Sequence, residues 1–285
     1  MVITIKLVIA KIALTIFAIM IAMSLMYPIA FIVAQALIGK PTIILIDFRQ
    51  LITYGITLNN FLNTLMNSRF ISALTTTLII ASITVILAIT IIIPAGYAFS
   101  RFSFRGRDSL LYFYLIVSQA GGGIGIIAVL ALYMFLMRLQ AFGIKLINPM
   151  TLPFIYVSGL IPFQTWLVKS YFDQLPKELD EAAFIDGASW LMIIFRVILP
   201  ASKAAYIIIA MLAFMSAWGE FIIANIMGIT TLGRYIYESA AGQVGVMEPG
   251  TFAAASLIYG TPIIVLFALA QRYIGEAYRL GIAKG

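Results

Sequence analysis

From Phe70 to Ser100 the chain carries no charged side chain, and it carries none from Ile12 to Gly39. Each run is long enough to cross the roughly 30 Å hydrocarbon core of a bilayer as a helix, with some tilt. Composition points the same way: 63% of the 285 residues are hydrophobic and 10% are charged, whereas an ordinary soluble domain is about half apolar. Four further apolar runs, 110–137, 147–170, 201–227 and 251–274, join 12–38 and 70–99. Together they predict an all-α polytopic membrane protein with six transmembrane helices in one domain, 1–285. Ala34-Gln35-Ala36 imitates a signal-peptide cleavage site, but the apolar region before it is too long, so the first helix is expected to be retained.

Of the 18 Lys and Arg residues, twelve fall in segments that are cytoplasmic if the N-terminus is inside, and six fall in the opposite segments. Basic residues are enriched on the cytoplasmic side of membrane proteins, so the asymmetry predicts N-in and C-in, as six crossings require. The chain has no cysteine and no histidine. That excludes disulfides, thiolate chemistry and the usual zinc sites, though not a carboxylate metal site; no metal ligands are assigned. A formal charge of +7 raises the question of nucleic acid, but no large soluble region is present to carry such a surface. The basic and aromatic alternation Arg101-Phe102-Ser103-Phe104-Arg105-Gly106-Arg107 directly follows a spanning helix. It reads as an interfacial anchor against membrane lipid, and no nucleic-acid partner is expected.

Within the third run, Gly123, Gly125 and Ala128 fit the dinucleotide pattern GxGxxA, but no strand precedes them and they sit at membrane depth. Gly121 and Gly125 also form GxxxG, the close-packing pattern of membrane helices. So dense a glycine run can also unwind a helix beside a protein-buried cavity, which makes Gln119 and Gly122 candidates for a substrate pathway. Glu220 is the third candidate. An ionisable group at membrane depth is costly and faces a cavity or a partner, so a structural ion pair competes with a translocation role there.

Acidic residues cluster only in Pro176–Pro200, where Glu178, Asp180, Glu181 and Asp186 stand in an otherwise apolar sequence. Pro176 suits the first turn of a helix, and the acids behind it suit the positive end of the helix dipole. Gly187 can take a positive φ and so end a short helix. Leu175, Leu179 and Ala182 or Ala183 fall on one face at helical spacing. The second half, 188–199, is apolar enough to lie on a membrane or against other helices.

The spacing Glu181-Ala182-Ala183, three residues, Gly187, nine residues, Val197, one residue, Leu199-Pro200 resembles the EAA loop of ABC-importer permeases, with Val197 where that family has isoleucine. The resemblance extends from about Asn67 to the C-terminus. Trp218-Gly219-Glu220-Phe221 resembles a Trp-Asn-x-Phe segment of sugar permeases, although Gly219 replaces the asparagine. The ending through Lys284 and Gly285 resembles the tail of maltose-type permeases, which in that family reaches the ATPase. The resemblance implies that segment 173–200 is a cytoplasmic coupling loop docking into an ATPase cleft, carried by Glu181, Ala182, Ala183, Gly187, Leu199 and Pro200. It also implies a second permease subunit, an ATP-binding-cassette ATPase dimer and an extracytoplasmic solute-binding protein as partners.

No GxxxxGK[ST] sequence occurs; Gly39-Lys40 lacks the earlier glycine and is followed by Pro41. The chain is therefore expected to be a transport subunit rather than an enzyme, binding no cofactor itself, with ATP and Mg on the partner ATPase. The expectation is a multi-pass permease of a prokaryotic cytoplasmic membrane, serving an importer of sugar or oligosaccharide. The competing function is a secondary transporter driven by an ion gradient, which would want intramembrane acids and finds only Glu220. A membrane enzyme is disfavoured because no acid and base are paired at membrane depth.

Overall fold

The computed structural model describes residues 2–242 and 247–282, with side chains described at all of these except 2–10, 117, 119–124 and 272–282. Helices α1 (Val2–Leu37), α2 (Arg49–Tyr54) and α3 (Asn59–Met66) precede α4 (Ser68–Arg101), which is built on the long charge-free run. Next come α5 (Arg107–Ala141) and α6 (Leu152–Phe172). The short helix α7 (Glu178–Ile185) is followed by α8 (Trp190–Met192), a π-helical turn (Ile193–Ile198) and α9 (Leu199–Ala201). Helices α10 (Lys203–Gly219), α11 (Ile222–Ile226), α12 (Leu232–Ala240) and α13 (Pro249–Ile282) complete the order. Among the described residues there is no strand, only one isolated antiparallel bridge between Ile38 and Ile56.

Five segments of the described chain are long and apolar enough to cross a membrane: Lys11–Leu37, Ser68–Arg101, Pro149–Phe172, Lys203–Ile226 and Pro249–Gln271. The third expected crossing lies in α5, a helix of 35 residues whose described apolar part is Gly125–Ala141. Its backbone stays helical through the glycine run, so the unwinding that glycine permits does not occur there. No strand leads into it, and the GxGxxA match lacks the framework that phosphate binding needs. Lipid offers backbone groups no hydrogen-bond partner, which is why such runs stay helical even across Pro94 in α4 and Pro162 in α6.

The chain divides into two compact units, 1–71 with 236–261, and 72–235 with 262–285. In the larger unit α6 packs on both α5 and α10. Gly96 of α4 makes a close approach to α6 possible, since a Cβ there would lie 2.5 Å from Val168 Cγ1. One apolar core gathers Ile92, Ile93 and Tyr97 of α4, Val168 and Phe172 of α6, Ala183 of α7 and Ile193, Ile194 and Ile198 of the π-helical turn. A second joins Ile80 and Ala81 to Leu136, Leu152, Tyr156 and Ala217. The smaller unit is held by polar groups at the end of α1. Asn60 of α3 donates to the Ala36 and Ile38 carbonyls at 2.9 and 3.0 Å, and Gln35 spans the Ile43 carbonyl and the Leu45 amide at 2.8 and 2.6 Å.

Candidate coupling site

Helix α7 begins at Glu178, with Lys177 before it, so Pro176 lies in the lead-in turn and not in the first helical turn as its sequence position suggested. The three acids of that first turn, Glu178, Asp180 and Glu181, sit where the unpaired amides of a helix start favour negative charge. The other end closes on Gly187, whose φ is +79°. Its amide donates to the Phe184 carbonyl at 2.9 Å, and the Ala188 amide donates to the Ala183 carbonyl at 3.0 Å. This pair of bonds is the Schellman arrangement, and it needs a left-handed residue at the position Gly187 fills. Ser189 then caps the next turn by accepting the Met192 amide at 3.4 Å.

The faces of α7 differ from the pattern read from the sequence. Asp180 and Ala183 are its buried residues, whereas Leu179 and Ala182 are exposed and Leu175 packs at the edge of the core. The reason is electrostatic. Asp180 Oδ2 lies 2.8 Å from Arg101 Nε, with both side chains less than a tenth exposed, and Asp180 Oδ1 accepts the Tyr97 hydroxyl at 2.7 Å. The Arg101 N–H is not aligned as a hydrogen bond to that oxygen, but Coulomb attraction between opposite charges at this distance does not need alignment. Arg101 Nη2 also donates to the Leu175 carbonyl at 3.2 Å. One turn nearer to α6, Asp173 accepts from Ser100 Oγ and from Lys169 Nζ, each at 2.7 Å. Aromatic rings wrap this polar strap: Phe102 and Trp190 pack with centroids 4.7 Å apart, and Phe184 and Trp190 at 4.2 Å.

Glu181, Ala182 and Gly187 are all exposed on the loop, Pro200 is exposed on α9, and Ala183 and Leu199 pack into one core. Ile185, one helical turn beyond Glu181, is 87% exposed. An acid, a small residue and a large apolar residue thus share the outward face, which suits contact with another protein. The sequence reading passed over Ile185, although its i+4 relation to Glu181 was visible. It also passed over Tyr97, Ser100, Arg101 and Asp180 as a group, since no local pattern pairs residues so far apart in the chain.

Residues 92–279 match the family described as Binding-protein-dependent transport system inner membrane component. The chain belongs to that family. The maltodextrin transport system permease protein MdxG of Bacillus subtilis is 30% identical over 282 residues, 96% of each chain. The trehalose/maltose transport system permease protein MalG of Thermococcus litoralis is 32% identical over 285 residues, 98% of each chain. In fold, the chain resembles a solved bacterial ABC transporter involved in the import of the acidic polysaccharide alginate. That likeness has a TM-score of 0.68 at 20% identity, covering 93% of this chain and 96% of the other. A member of this family is a transport component.

Glu220 stands apart from this loop. The expected helix 201–227 breaks at this residue, which has extended backbone between α10 and α11. Its carboxylate accepts the Ile223 amide at 2.6 Å, the Ala224 amide at 3.3 Å and the Tyr156 hydroxyl at 2.6 Å. Among the described residues no cation is paired with it, and its carboxylate caps the start of α11 across the helix break. Gln119 and Gly122 lie on α5, and their side chains fall outside the described residues, as do Lys284 and Gly285 altogether.

Proposed function

We propose that this chain is the membrane-spanning permease subunit of an ATP-driven importer that takes a sugar or oligosaccharide from an extracytoplasmic solute-binding protein. The carrying observation is the outward face of α7: Glu181, Ala182 and the 87% exposed Ile185 on a short helix closed by Gly187 and fixed to the membrane helices from behind. Such a helix can enter a cleft on a soluble partner without unfolding its own support. The partner in this reading is an ATPase dimer, which holds ATP and Mg, while a second permease completes the pathway. The carbohydrate assignment rests on relatives named for maltodextrin and trehalose/maltose transport.

In this reading six helices cross the membrane with both termini in the cytoplasm, and Gln119, Gly122 and Glu220 border the pathway. Transport driven by an ion gradient would call for an intramembrane acid free to exchange its ion, and Glu220 is engaged by three donors. The test is reconstitution of the chain in proteoliposomes with its co-purifying permease, ATPase and binding protein. Uptake of labelled maltodextrin should require ATP, Mg and the binding protein together. Uptake driven by an ion gradient without the ATPase would overturn the proposal.

A further inference from the structure

The coupling loop is covalently continuous with α6 and α10, yet its polar contacts run sideways to a helix remote in sequence. Tyr97, Ser100 and Arg101 stand at i, i+3 and i+4 in the last turn of α4, which places them on one face. From that face Tyr97 and Arg101 hold Asp180, Arg101 holds the Leu175 carbonyl, and Ser100 holds Asp173. The strap grips both the turn leading into α7 and the first turn of α7 itself. Apolar packing lets helices slide by small steps, whereas a buried charge pair with directional partners has few alternative geometries. Tyr97, buried Phe172 and the Phe102–Trp190 pair surround the strap and limit water access to it.

We propose that Asp180 and Arg101 are positioning residues that lock α7 to the end of α4, so that a displacement of the coupling helix is delivered into α4 directly and not only through α6 and α10. Asp180 and Glu181 then divide the work between two faces of one short helix. Glu181 looks outward to the partner, and Asp180 looks inward to the membrane span. This inference rests on α7 being the docking helix.

The test uses the full complex in proteoliposomes and reads three quantities: yield of assembled complex, ATP hydrolysis stimulated by the loaded binding protein, and substrate molecules imported per ATP. Asp180→Asn and Arg101→Gln should assemble and hydrolyse ATP, while import per ATP falls about tenfold, the size of a modest coupling energy. The reciprocal exchange, Arg101→Asp with Asp180→Arg, should recover part of that ratio. Tyr97→Phe removes one hydrogen bond and should lower the ratio in the same direction with assembly intact. An unchanged ratio in Asp180→Asn and Tyr97→Phe would overturn the proposal. If Asp180→Asn fails to assemble, the ratio in Tyr97→Phe decides alone. Failure of the docking reading has a separate signature: Ile185→Glu and Glu181→Lys would leave ATPase association unchanged.

Discussion

The Tyr156 hydroxyl of α6 donates to Glu220 Oε2 at 2.6 Å, and the same carboxylate receives the Ile223 and Ala224 amides at the start of α11. An acid in a membrane helix is thus used to seal a helix break, replacing the amides' missing partners. Replacing Glu220 by Ala removes the cap and strands the Tyr156 hydroxyl. A cap is worth about 1 kcal/mol and a buried orphaned hydroxyl costs about 1–3 kcal/mol. Glu220→Ala should therefore lower the thermal midpoint in detergent clearly, and Glu220→Gln, which keeps an acceptor oxygen, should lower it less. Tyr156→Phe combined with Glu220→Ala should cost less than the two single changes added, because they share one bond.

Gly187 allows a second prediction with a clean cause. Within this chain a Cβ at this position would meet no atom within 4 Å beyond its neighbours, so the strain that substitution puts on the turn comes from the backbone at φ +79°. An L-residue pays about 1–2 kcal/mol there, asparagine less and a β-branched residue more. Stimulated ATP hydrolysis by the assembled complex should fall in the order Gly187→Asn, Gly187→Ala, Gly187→Val, with valine worst. Equal activity of all three would mean that the Schellman turn is not needed for docking.

The charge-free runs and the end of α7 were legible in the sequence because each is set by near neighbours. Apolar length fixes a span, and glycine at one place fixes a turn. The inward pull on Asp180 was not legible, since its partners Tyr97 and Arg101 come from a helix 83 and 79 positions earlier. Helical spacing alone put Leu175, Leu179 and Ala182 or Ala183 on one face; Ala183 is buried and Leu175 packs at the edge of the core, whereas Leu179 and Ala182 are exposed. The break at Glu220 was hidden for a related reason: a carboxylate in an apolar run signals cost, and only its contacts show that the cost is met by amides and a tyrosine. The glycine run of α5 allowed either close packing or unwinding, and the backbone stays helical there, since freedom to unwind is not a force to do so.

The approach of α4 to α6 supplies a steric prediction. A Cβ on Gly96 would sit 2.5 Å from Val168 Cγ1, 2.8 Å from Val168 Cβ and 3.3 Å from the Lys169 amide nitrogen. Overpacking of this kind costs about 1–3 kcal/mol. Gly96→Ala should lower the thermal midpoint, and adding Val168→Ala should restore part of the loss by removing Cγ1. Full recovery is not expected, because the Val168 Cβ and the Lys169 backbone remain. A Gly96→Leu chain should not be rescued by Val168→Ala at all.

Asn60 carries the last prediction. Helix α1 ends at Leu37, so the Ala36 carbonyl belongs to the final turn, which has no intrahelical donor left. The Asn60 amide supplies the donor, reaching Ala36 and then Ile38 just beyond the helix, and the residue is 1% exposed. Only the NH₂ end is used, since Oδ1 has no partner among the described residues. Asn60→Leu would leave two carbonyls unpaired, at about 1–3 kcal/mol each. Asn60→Asp should be worse despite its closer shape, because it sets a carboxylate against the same two carbonyl oxygens in a buried place. Amide hydrogen exchange should therefore show the Gly39 and Thr57 amides, which bond to the Gly55 and Leu37 carbonyls, losing protection in the order wild type, Asn60→Leu, Asn60→Asp. Protection unchanged in Asn60→Asp would mean that the end of α1 is held by the Gln35 contacts and not by Asn60.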